Sequence, residues 1–410
     1  MTYKILSLDG GGVWSLIQVN TLMKLFGDDA NGHDVLANFD LVAGNSGGSV
    51  VLAGLAENKR LSEILDMFED EAKRCSIFSA TRSWLRPLYK SFGLGPIYST
   101  AAKLQALEDL LPNTGKMKLP DVAGSIPRPN RQPLHLLIVG FDYDTKRATF
   151  FRSAGDTDPT VWGSGAPAKY TLAQAVHVSS NAPINYFDRP AAISDGASTF
   201  DRRFWDGGVT GCNNPALAAT IEAITHNIAA ADIRLLSIGT GTVYLPADQE
   251  QPPFTAERAR PRLIADLKKL ATAILDDPPD AASYHAYAIT RDPHSQAEYP
   301  DRVVRMNPLI APRRMGDRWD TYAGMAPDKF AYLCRLEMDA LKPEQVEAIK
   351  EYCDLWLKDR VPNQPIRMDA HFEPEIGQKW FGQAKDAWEK ISADRGSVRP
   401  ILAPGERRVA

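Results

Sequence analysis

The sequence predicts an α/β fold, a three-layer sandwich with a mostly parallel central sheet and a helical C-terminal extension. Strand-like and helix-like segments alternate through the first part of the chain, which is typical of a parallel sheet covered by helices on both faces. Glycine-rich turns follow several of the strand-like runs. The length of 410 residues exceeds a single core, which usually stops growing at about 250–300 residues, so an appendage is expected.

The individual elements follow from apolar periodicity. Short apolar runs predict strands, at residues 4–8, 39–43, 134–140, 148–152 and 234–238. Apolar residues at helical spacing predict helices, at residues 15–26, 49–57, 61–73, 170–179 and 214–227. The turn at 142–145 predicts a hairpin between the third and fourth strands. The prolines and glycine between residues 119 and 133 predict a loop.

The character of the chain changes after Gln251-Pro252-Pro253. Beyond it, amphipathic helices predominate around one strand-like stretch, at residues 263–275, 302–306, 343–358 and 377–391. We therefore predict a domain over residues 1–250 and a mainly helical extension over residues 251–410 that packs on the domain or completes it.

Composition excludes several classes of protein. Hydrophobic residues make up 44% and the net charge is −4, so a nucleic-acid polymer is not an expected partner. The four cysteines are widely separated, which indicates neither a zinc site nor a disulfide framework, and we predict no metal and no cofactor. The N-terminus lacks the pattern of a signal peptide and no apolar run reaches the ~20 residues of a membrane-spanning helix, so a cytoplasmic location is predicted.

The strongest chemical signal is the G-x-S-x-G pattern at Gly44-Asn45-Ser46-Gly47-Gly48. A serine in this context occupies a sharp turn between a strand and a helix, where flanking glycines relieve crowding of a strained backbone. The N-terminus of the following helix directs N–H groups toward developing negative charge. We therefore predict that Ser46 is a nucleophile, although ordinary turns also contain such patterns.

A second signal is Asp9-Gly10-Gly11-Gly12, at the end of the first strand. Successive glycine N–H groups can form an anion-binding nest, which in an acyl hydrolase is the oxyanion hole. A plain turn and a phosphate-binding loop are the alternatives.

The third signal is Asp206-Gly207-Gly208, because a serine nucleophile needs a base within hydrogen-bonding reach. In α/β-hydrolase order the catalytic histidine follows the acid, which leaves His226, His285, His294 and His371. None of them follows a strand at a glycine-flanked end. A carboxylate base is feasible where burial raises its pKa from the usual ~3.9.

Taken in order, the three motifs resemble the signature of the patatin-like phospholipase family. The segment Ser179-Ser180-Asn181-Ala182-Pro183, followed by Tyr186-Phe187, is similar to the serine- or alanine-proline segment that these proteins carry before the aspartate. The resemblance covers residues 1–240. It implies a patatin-like acyl hydrolase domain, hydrolysis of acyl esters of phospholipids or related lipids, and an acyl-serine intermediate formed without a histidine.

Carried over residue by residue, the resemblance makes Ser46 the nucleophile and Asp206 the base. The oxyanion donors it implies are Gly10, Gly11 and Gly12. The family usually has an arginine or lysine and then a glycine where this chain has Trp14 and Ser15. A cation would reinforce the positive field around the oxyanion, whereas tryptophan offers one N–H donor and bulk. This departure predicts a changed rate or head-group preference.

Residues 77–97 are a candidate membrane-facing segment. Aromatic and aliphatic residues there would share one helix face, flanked by Arg82, Arg86 and Lys90, which suits an anionic lipid surface. Pro87 opposes a continuous helix, and a core-packing cover over the active site is the alternative.

Three rival functions remain open. A non-catalytic lipid-binding protein would have the same fold, and a conventional histidine triad would use one of the later histidines. A sugar-kinase-like phosphotransferase would use Asp9 and the turn Gly239-Thr240-Gly241, but it leaves Ser46 and Asp206 unexplained.

Overall fold

The computed structural model describes most of the chain. The described residues are 2–77, 100–129, 131–154, 164–166, 169–183, 187, 189–194, 201–247, 251, 253–256, 263–292, 302–338 and 340–393. The predicted membrane-facing segment 77–97 lies outside them except for its first residue, and so does His294. No helix of the described part is both long enough and apolar enough to cross a membrane.

The described strands are numbered in chain order. They are β1 (Tyr3–Leu8), β2 (Leu41–Gly44), β3 (His135–Asp142), β4 (Arg147–Arg152), β5 (Ser164–Ala166), β6 (Ala191–Ile193), β7 (Arg202–Asp206), β8 (Ile233–Ile238), β9 (Thr242–Val243), β10 (Val303–Met306), β11 (Leu309–Ile310), β12 (Arg313–Met315), β13 (Arg318–Asp320), β14 (Arg367–Met368) and β15 (Pro374–Ile376). Small two-stranded sheets pair β9 with β11, β12 with β13, and β14 with β15.

A large central sheet has the strand order β10-β8-β1-β2-β3-β4-β5, with β7 bonded to β3 and β6 bonded to β7. The strands from β10 to β3 are all parallel to their neighbours, and antiparallel pairing begins at β4 and β7. Leu8 pairs with both Gly44 and Ile238, so β1, β2 and β8 end together. We call this side of the sheet the carboxyl edge, and the side where these strands begin the amino edge.

Helices cover both faces of this sheet. They are α1 (Leu16–Phe26), α2 (Gly32–Leu36), α3 (Gly47–Ala56), α4 (Leu61–Glu69), α5 (Glu71–Ile77), α6 (Thr100–Leu110), α7 (Leu119–Ser125), α8 (Leu172–Ser179), α9 (Ala216–Thr225), α10 (Leu263–Thr290), α11 (Pro327–Leu333), α12 (Pro343–Leu357) and α13 (Phe381–Ser392). Alternate residues of β1 enter two separate hydrophobic clusters, with Leu6 and Leu8 in one and Tyr3 and Ile5 in the other. The predicted three-layer α/β sandwich is therefore confirmed.

Several predicted element boundaries were wrong. Residues 119–125 form a helix where a loop was predicted, because Pro120 lies in the first turn, where no N–H is needed for the helix ladder. The helix predicted over 61–73 divides at Asp70, whose backbone is extended. Helix α10 continues past its predicted end through Pro278 and Pro279.

The C-terminal half contributes directly to the sheet. Strand β10 pairs in parallel with β8, and α13 contacts both of these strands. The division of the chain near residue 250 stays a prediction.

Candidate active site

Ser46 lies on a tight turn at the carboxyl edge. Strand β2 ends at Gly44 and α3 begins at Gly47, so only two residues join them. Ser46 has φ 48° and ψ −123°, a conformation that costs a non-glycine residue about 1–3 kcal/mol. Its N–H donates to the hydroxyl of Ser179 at 3.0 Å. A Cβ on Gly48 would lie 2.3 Å from the carbonyl oxygen of Leu8, so glycine is needed for this close approach.

Asp206 lies at the end of β7, and the structure brings it to Ser46. Its carboxylate accepts hydrogen bonds from the Gly208 N–H at 2.8 Å and the Asn45 amide at 3.2 Å, and the Ser46 hydroxyl lies close enough to lower its pKa. Its own N–H donates to the carbonyl of Asn181 at 3.0 Å. Two side chains that are distant in the sequence are therefore in contact at one edge of the sheet.

Burial raises the pKa of the Asp206 carboxyl above its ordinary value. The neighbouring polar groups of Gly208, Ser46 and Asn45, together with the positive charge of Lys103, offset part of that rise. No histidine of the described part hydrogen-bonds to Ser46; His226, for example, follows α9 at the amino edge. Asp206 is thus the titratable group in contact with the serine.

The glycine loop follows β1 on the same edge. A Cβ on Gly10 would lie 3.0 Å from the Cβ of Ser46, which shows how closely this backbone approaches the serine. The Gly10 N–H donates to the carbonyl of Asn213 at 2.8 Å, and the Val13 N–H donates to the carbonyl of Met338 at 2.9 Å. Within the described residues, the N–H groups of Gly11 and Gly12 have no acceptor.

A buried ion pair holds the start of this loop. A terminal nitrogen of Arg305 lies 2.6 Å from the carboxylate of Asp9, and its other terminal nitrogen donates to the hydroxyl of Ser237 at 2.8 Å. Burial raises the pKa of Asp9 to about 6, against the opposing effect of Arg305. Because Arg305 lies on β10, the C-terminal half of the chain fixes the loop that follows β1.

Polar side chains that were not identified as functional from the sequence connect the three motifs. The Asn45 amide donates to Asp206 at 3.2 Å and to the Asn213 side chain at 3.3 Å, and the Ser179 hydroxyl donates to Asn45 at 3.3 Å. Asn45 stands inside the G-x-S-x-G pattern and Ser179 begins the proline segment, so both lay within motifs already recognised. Asn213 had no such signal.

Trp14 is packed inside the fold and bonded to the C-terminal half of the chain. Its side chain is buried, its ring lies against Gly241, and its indole N–H donates to the carbonyl of Glu337 at 3.2 Å. The position where a cation was expected therefore anchors a C-terminal segment.

Potential metal ligands lie away from Ser46. In the described part of the chain, His135, Glu222 and His226 bring three ligand atoms within 4.8 Å of one another at the amino edge. The Nε of Arg152 lies 3.2 Å from the same carboxylate oxygen of Glu222 that His135 approaches at 3.3 Å. The guanidinium already supplies positive charge there, so we interpret the group as an ion-pair cluster.

A cavity of about 400 Å³ also lies apart from the serine. It is bounded by α10 and by the segment that contains β14, and its lining includes Tyr244, Asp280, Tyr284 and Phe372.

Comparisons with known proteins agree with these motifs. A model of the patatin-like phospholipase family matches residues 6–220, which is more than half of the chain. A cGAMP-activated phospholipase of Pseudomonas aeruginosa is 28% identical over 244 residues, covering 59% of this chain and 63% of that protein. An intracellular phospholipase A2 of Caenorhabditis elegans is 26% identical over 223 residues, covering 54% of this chain and 17% of that protein.

Among solved structures, human GIVD cytosolic phospholipase A2 matches 96% of this chain and 60% of that chain, at 12% identity and a TM-score of 0.41. The matched region spans less than two thirds of each of these two curated relatives. The family match itself contains Gly10 to Gly12, Ser46 and Asp206. On that match, the chain belongs to the patatin-like phospholipase family.

Proposed function

We propose that this protein hydrolyses acyl esters of phospholipids or related lipids, with Ser46 as nucleophile and Asp206 as base. The observation that carries the proposal is the placement of the Ser46 hydroxyl beside a buried carboxylate whose pKa burial raises. A base is most useful when its pKa approaches the working pH, and a raised carboxyl pKa moves in that direction.

In the first step, the Ser46 oxygen attacks the ester carbonyl carbon while its proton passes to Asp206. The carbonyl π electrons move to the oxygen and form an oxyanion. Collapse of this intermediate breaks the bond to the alcohol, which leaves with the proton held by Asp206. The products are an acyl-Ser46 ester and a lysolipid or other alcohol.

In the second step, water attacks the acyl carbon and gives a proton to Asp206. The second tetrahedral intermediate collapses by breaking the bond to the Ser46 oxygen, which recovers that proton. The products are the fatty acid and the original serine. The Asp206 carboxylate ends each step in the form in which it began.

The oxyanion is bound by N–H groups with no acceptor in the described part of the fold, those of Gly11 and Gly12. Gly10 lets the backbone approach Ser46 closely but does not donate to the oxyanion, since its N–H donates to the carbonyl of Asn213. The Gly47 N–H, next to the serine at the start of α3, is the further donor expected for a serine on such a turn. One well-placed donor is worth about 3–4 kcal/mol of transition-state stabilisation.

The test is covalent labelling by a fluorophosphonate, followed by lipid analysis. The wild-type protein should be labelled and Ser46→Ala should not. Mass spectrometry of mixed phospholipid vesicles should show fatty acid and lysolipid with wild type only. Because the Pseudomonas aeruginosa relative is named for activation by cGAMP, both assays include an arm with cGAMP, so that a latent enzyme is not scored as inactive.

A matched control separates the rival functions. Ser49→Ala alters a neighbouring hydroxyl that donates to the Ser46 carbonyl and should still be labelled. Vesicle binding without labelling in either arm would favour the lipid-binding protein. Labelling that persists in Asp206→Asn but disappears in His226→Ala or His294→Ala would favour a histidine triad.

A further inference from the structure

Lys103 is a buried cation that the proposed mechanism has not used. Its side chain is 0% exposed on α6. The ammonium donates to the carbonyl of His177 at 3.3 Å and lies 4.3 Å from the ring centroid of Phe187. A buried ammonium is costly unless a negative group compensates it. Among the residues that the structure describes, no carboxylate forms a direct ion pair with it, and the carboxylate that acts on it through space is Asp206.

One chain of contacts joins Lys103 to the serine. The carbonyl that accepts from its ammonium belongs to His177, in the last turn of α8. That helix ends at Ser179, whose hydroxyl accepts from the N–H of Ser46. Lys103 therefore binds the helix that holds the nucleophile turn.

A second chain of contacts joins α6, the helix that carries Lys103, to the proposed base Asp206. The hydroxyl of Thr100, at the start of α6, donates to the carbonyl of Arg189 at 2.9 Å. The Asn181 amide donates to that same carbonyl at 3.0 Å, and the Asn181 carbonyl accepts from the N–H of Asp206 at 3.0 Å. Helix α6 is thus connected to both Ser46 and Asp206.

Among the described groups that act on Asp206, Lys103 is the one that carries a positive charge. The polar groups next to the carboxylate are a hydroxyl, an amide and a backbone N–H, and all of them are neutral. Burial, with a further contribution from Lys103, lowers the pKa of His177 to about 3, so this nearby imidazole is neutral at physiological pH. The positive charge of Lys103 opposes the rise in the Asp206 pKa that burial causes.

We propose that Lys103 is a positioning residue for Asp206. The buried ammonium of Lys103 keeps the Asp206 carboxylate ionised, so that the Ser46 hydroxyl meets a proton acceptor. This inference rests on the proposed function. Burial lowers the pKa of Lys103 well below its usual range, and the charge of Asp206 opposes that change. The ammonium form of Lys103 is favoured as pH falls, which is the direction in which the Asp206 carboxylate takes up its proton.

The experiment measures the rate of fluorophosphonate labelling of Ser46 against pH, on the acid side. Lys103→Met removes the charge at similar length. The pH at which labelling of Lys103→Met reaches half of its maximal rate should be higher than for wild type, because the Asp206 carboxylate then loses a cation that stabilises its ionised form. Lys103→Arg retains a charge and should keep a midpoint near that of wild type.

Thr100→Val is the matched structural control. It removes a contact of α6 without changing charge, and its labelling midpoint should equal that of wild type. An unchanged midpoint in Lys103→Met, with labelling slower by the same factor at every pH, would assign Lys103 a packing role and overturn the inference. A midpoint moved to lower pH would overturn it as well.

A second measurement does not depend on activity. The difference in melting temperature between Asp206 and Asp206→Asn proteins is followed against pH, in the wild-type and Lys103→Met backgrounds. The pH at which this difference changes should be higher in the Lys103→Met background, and identical curves would overturn the inference. If wild type is never labelled but the curves differ, the proposed function fails while the pairing of Lys103 with Asp206 stands.

Discussion

Two carboxylates lie at opposite edges of the central sheet, almost equally buried, and their surroundings shift their pKa values in opposite directions. Asp206, at the carboxyl edge, is 5% exposed, and Glu222, at the amino edge, is 6% exposed. The pKa of Asp206 is raised. Burial acts on Glu222 in the same sense, yet the pKa of Glu222 is lowered. Since burial raises the pKa of both carboxyl groups, the opposite net directions come from the neighbouring groups.

The direct partners of Asp206 are neutral donors, whereas those of Glu222 are basic. Asp206 accepts hydrogen bonds from the Asn45 amide and the Gly208 N–H, and the Ser46 hydroxyl lies beside it. Glu222 has Arg152 at 3.2 Å and His135 at 3.3 Å. Neutral donors hold a carboxylate in place without preventing it from accepting a proton, whereas an adjacent guanidinium keeps it ionised. The first arrangement is compatible with a general base, and the second with a structural anchor.

The largest expected effect is on activity. Asp206→Asn should lower kcat/KM for a medium-chain nitrophenyl ester by about 10²–10⁴-fold, because proton transfer from Ser46 loses its acceptor. Glu222→Gln, assayed as folded protein, should keep a wild-type kcat. Equal losses in the two variants would remove the functional distinction between the two edges.

The next effect is on stability, and the substitutions of Glu222 and Asp206 should change it in opposite directions. Glu222→Gln should lower the free energy of unfolding by about 3–5 kcal/mol, because Arg152 loses its buried carboxylate partner. Urea denaturation measures the change. The double variant Arg152→Met/Glu222→Gln removes both charges and should recover part of the loss. No loss in the single variant would mean that the pair contributes little.

A smaller effect appears in the pH dependence of unfolding. The raised folded pKa of Asp206 means that its protonated form stabilises the fold; this stability is fully present below the unfolded value of ~3.9 and is lost as pH rises through the folded pKa. Asp206→Asn should therefore melt at higher temperature than wild type at neutral pH, and the difference should vanish below pH ~4.

Glu222 should show the opposite sign. Its folded pKa is lowered, so it stabilises the fold above the unfolded value of ~4.3, and this contribution is lost as pH falls through the folded pKa. Calorimetric melting of both single variants from acidic to neutral pH gives the two curves. Curves of the same sign would contradict the comparison.

Local signals were enough to identify the candidate nucleophile and the glycine loop. Ser46 and the glycine loop each follow an apolar strand and precede a helix, so strand, turn and helix could be identified from adjacent residues. Asp206 needed the order of three motifs, because an Asp-Gly turn carries little information alone. The approach of the glycine loop to Ser46 follows from parallel pairing, which brings the ends of β1 and β2 together, whereas Asp206 reaches the same edge because β7 pairs with β3.

The supporting residues could not be predicted in this way. Arg305 reaches Asp9 only because β10 pairs with β8, and nothing in the spacing of either residue indicates the other. Lys103 lies on a helix of ordinary polarity, and its burial depends on α8 and Phe187 closing over it. Such contacts depend on tertiary packing, which local periodicity does not encode.

The smallest expected effect concerns Trp14, where sequence and structure lead to different expectations. From the family resemblance, a missing cation predicted a changed rate or head-group preference. In the structure, the Trp14 indole donates to the carbonyl of Glu337, an exposed residue. Trp14→Phe keeps most of the ring and removes that donor. Because the carbonyl can then be hydrated, the loss of stability should be only about 0.5–1 kcal/mol, measured by urea denaturation.

Trp14→Arg separates the two interpretations. If the position acts on the oxyanion, restoring the cation should raise kcat without loosening the segment around Glu337. If it acts as an anchor, the arginine should lose the indole contacts with Gly241 and Glu337, and limited proteolysis should then cut the segment faster while kcat stays the same or falls. We expect the second result, because the buried indole N–H is already bonded to the C-terminal half of the chain and is not available to a substrate.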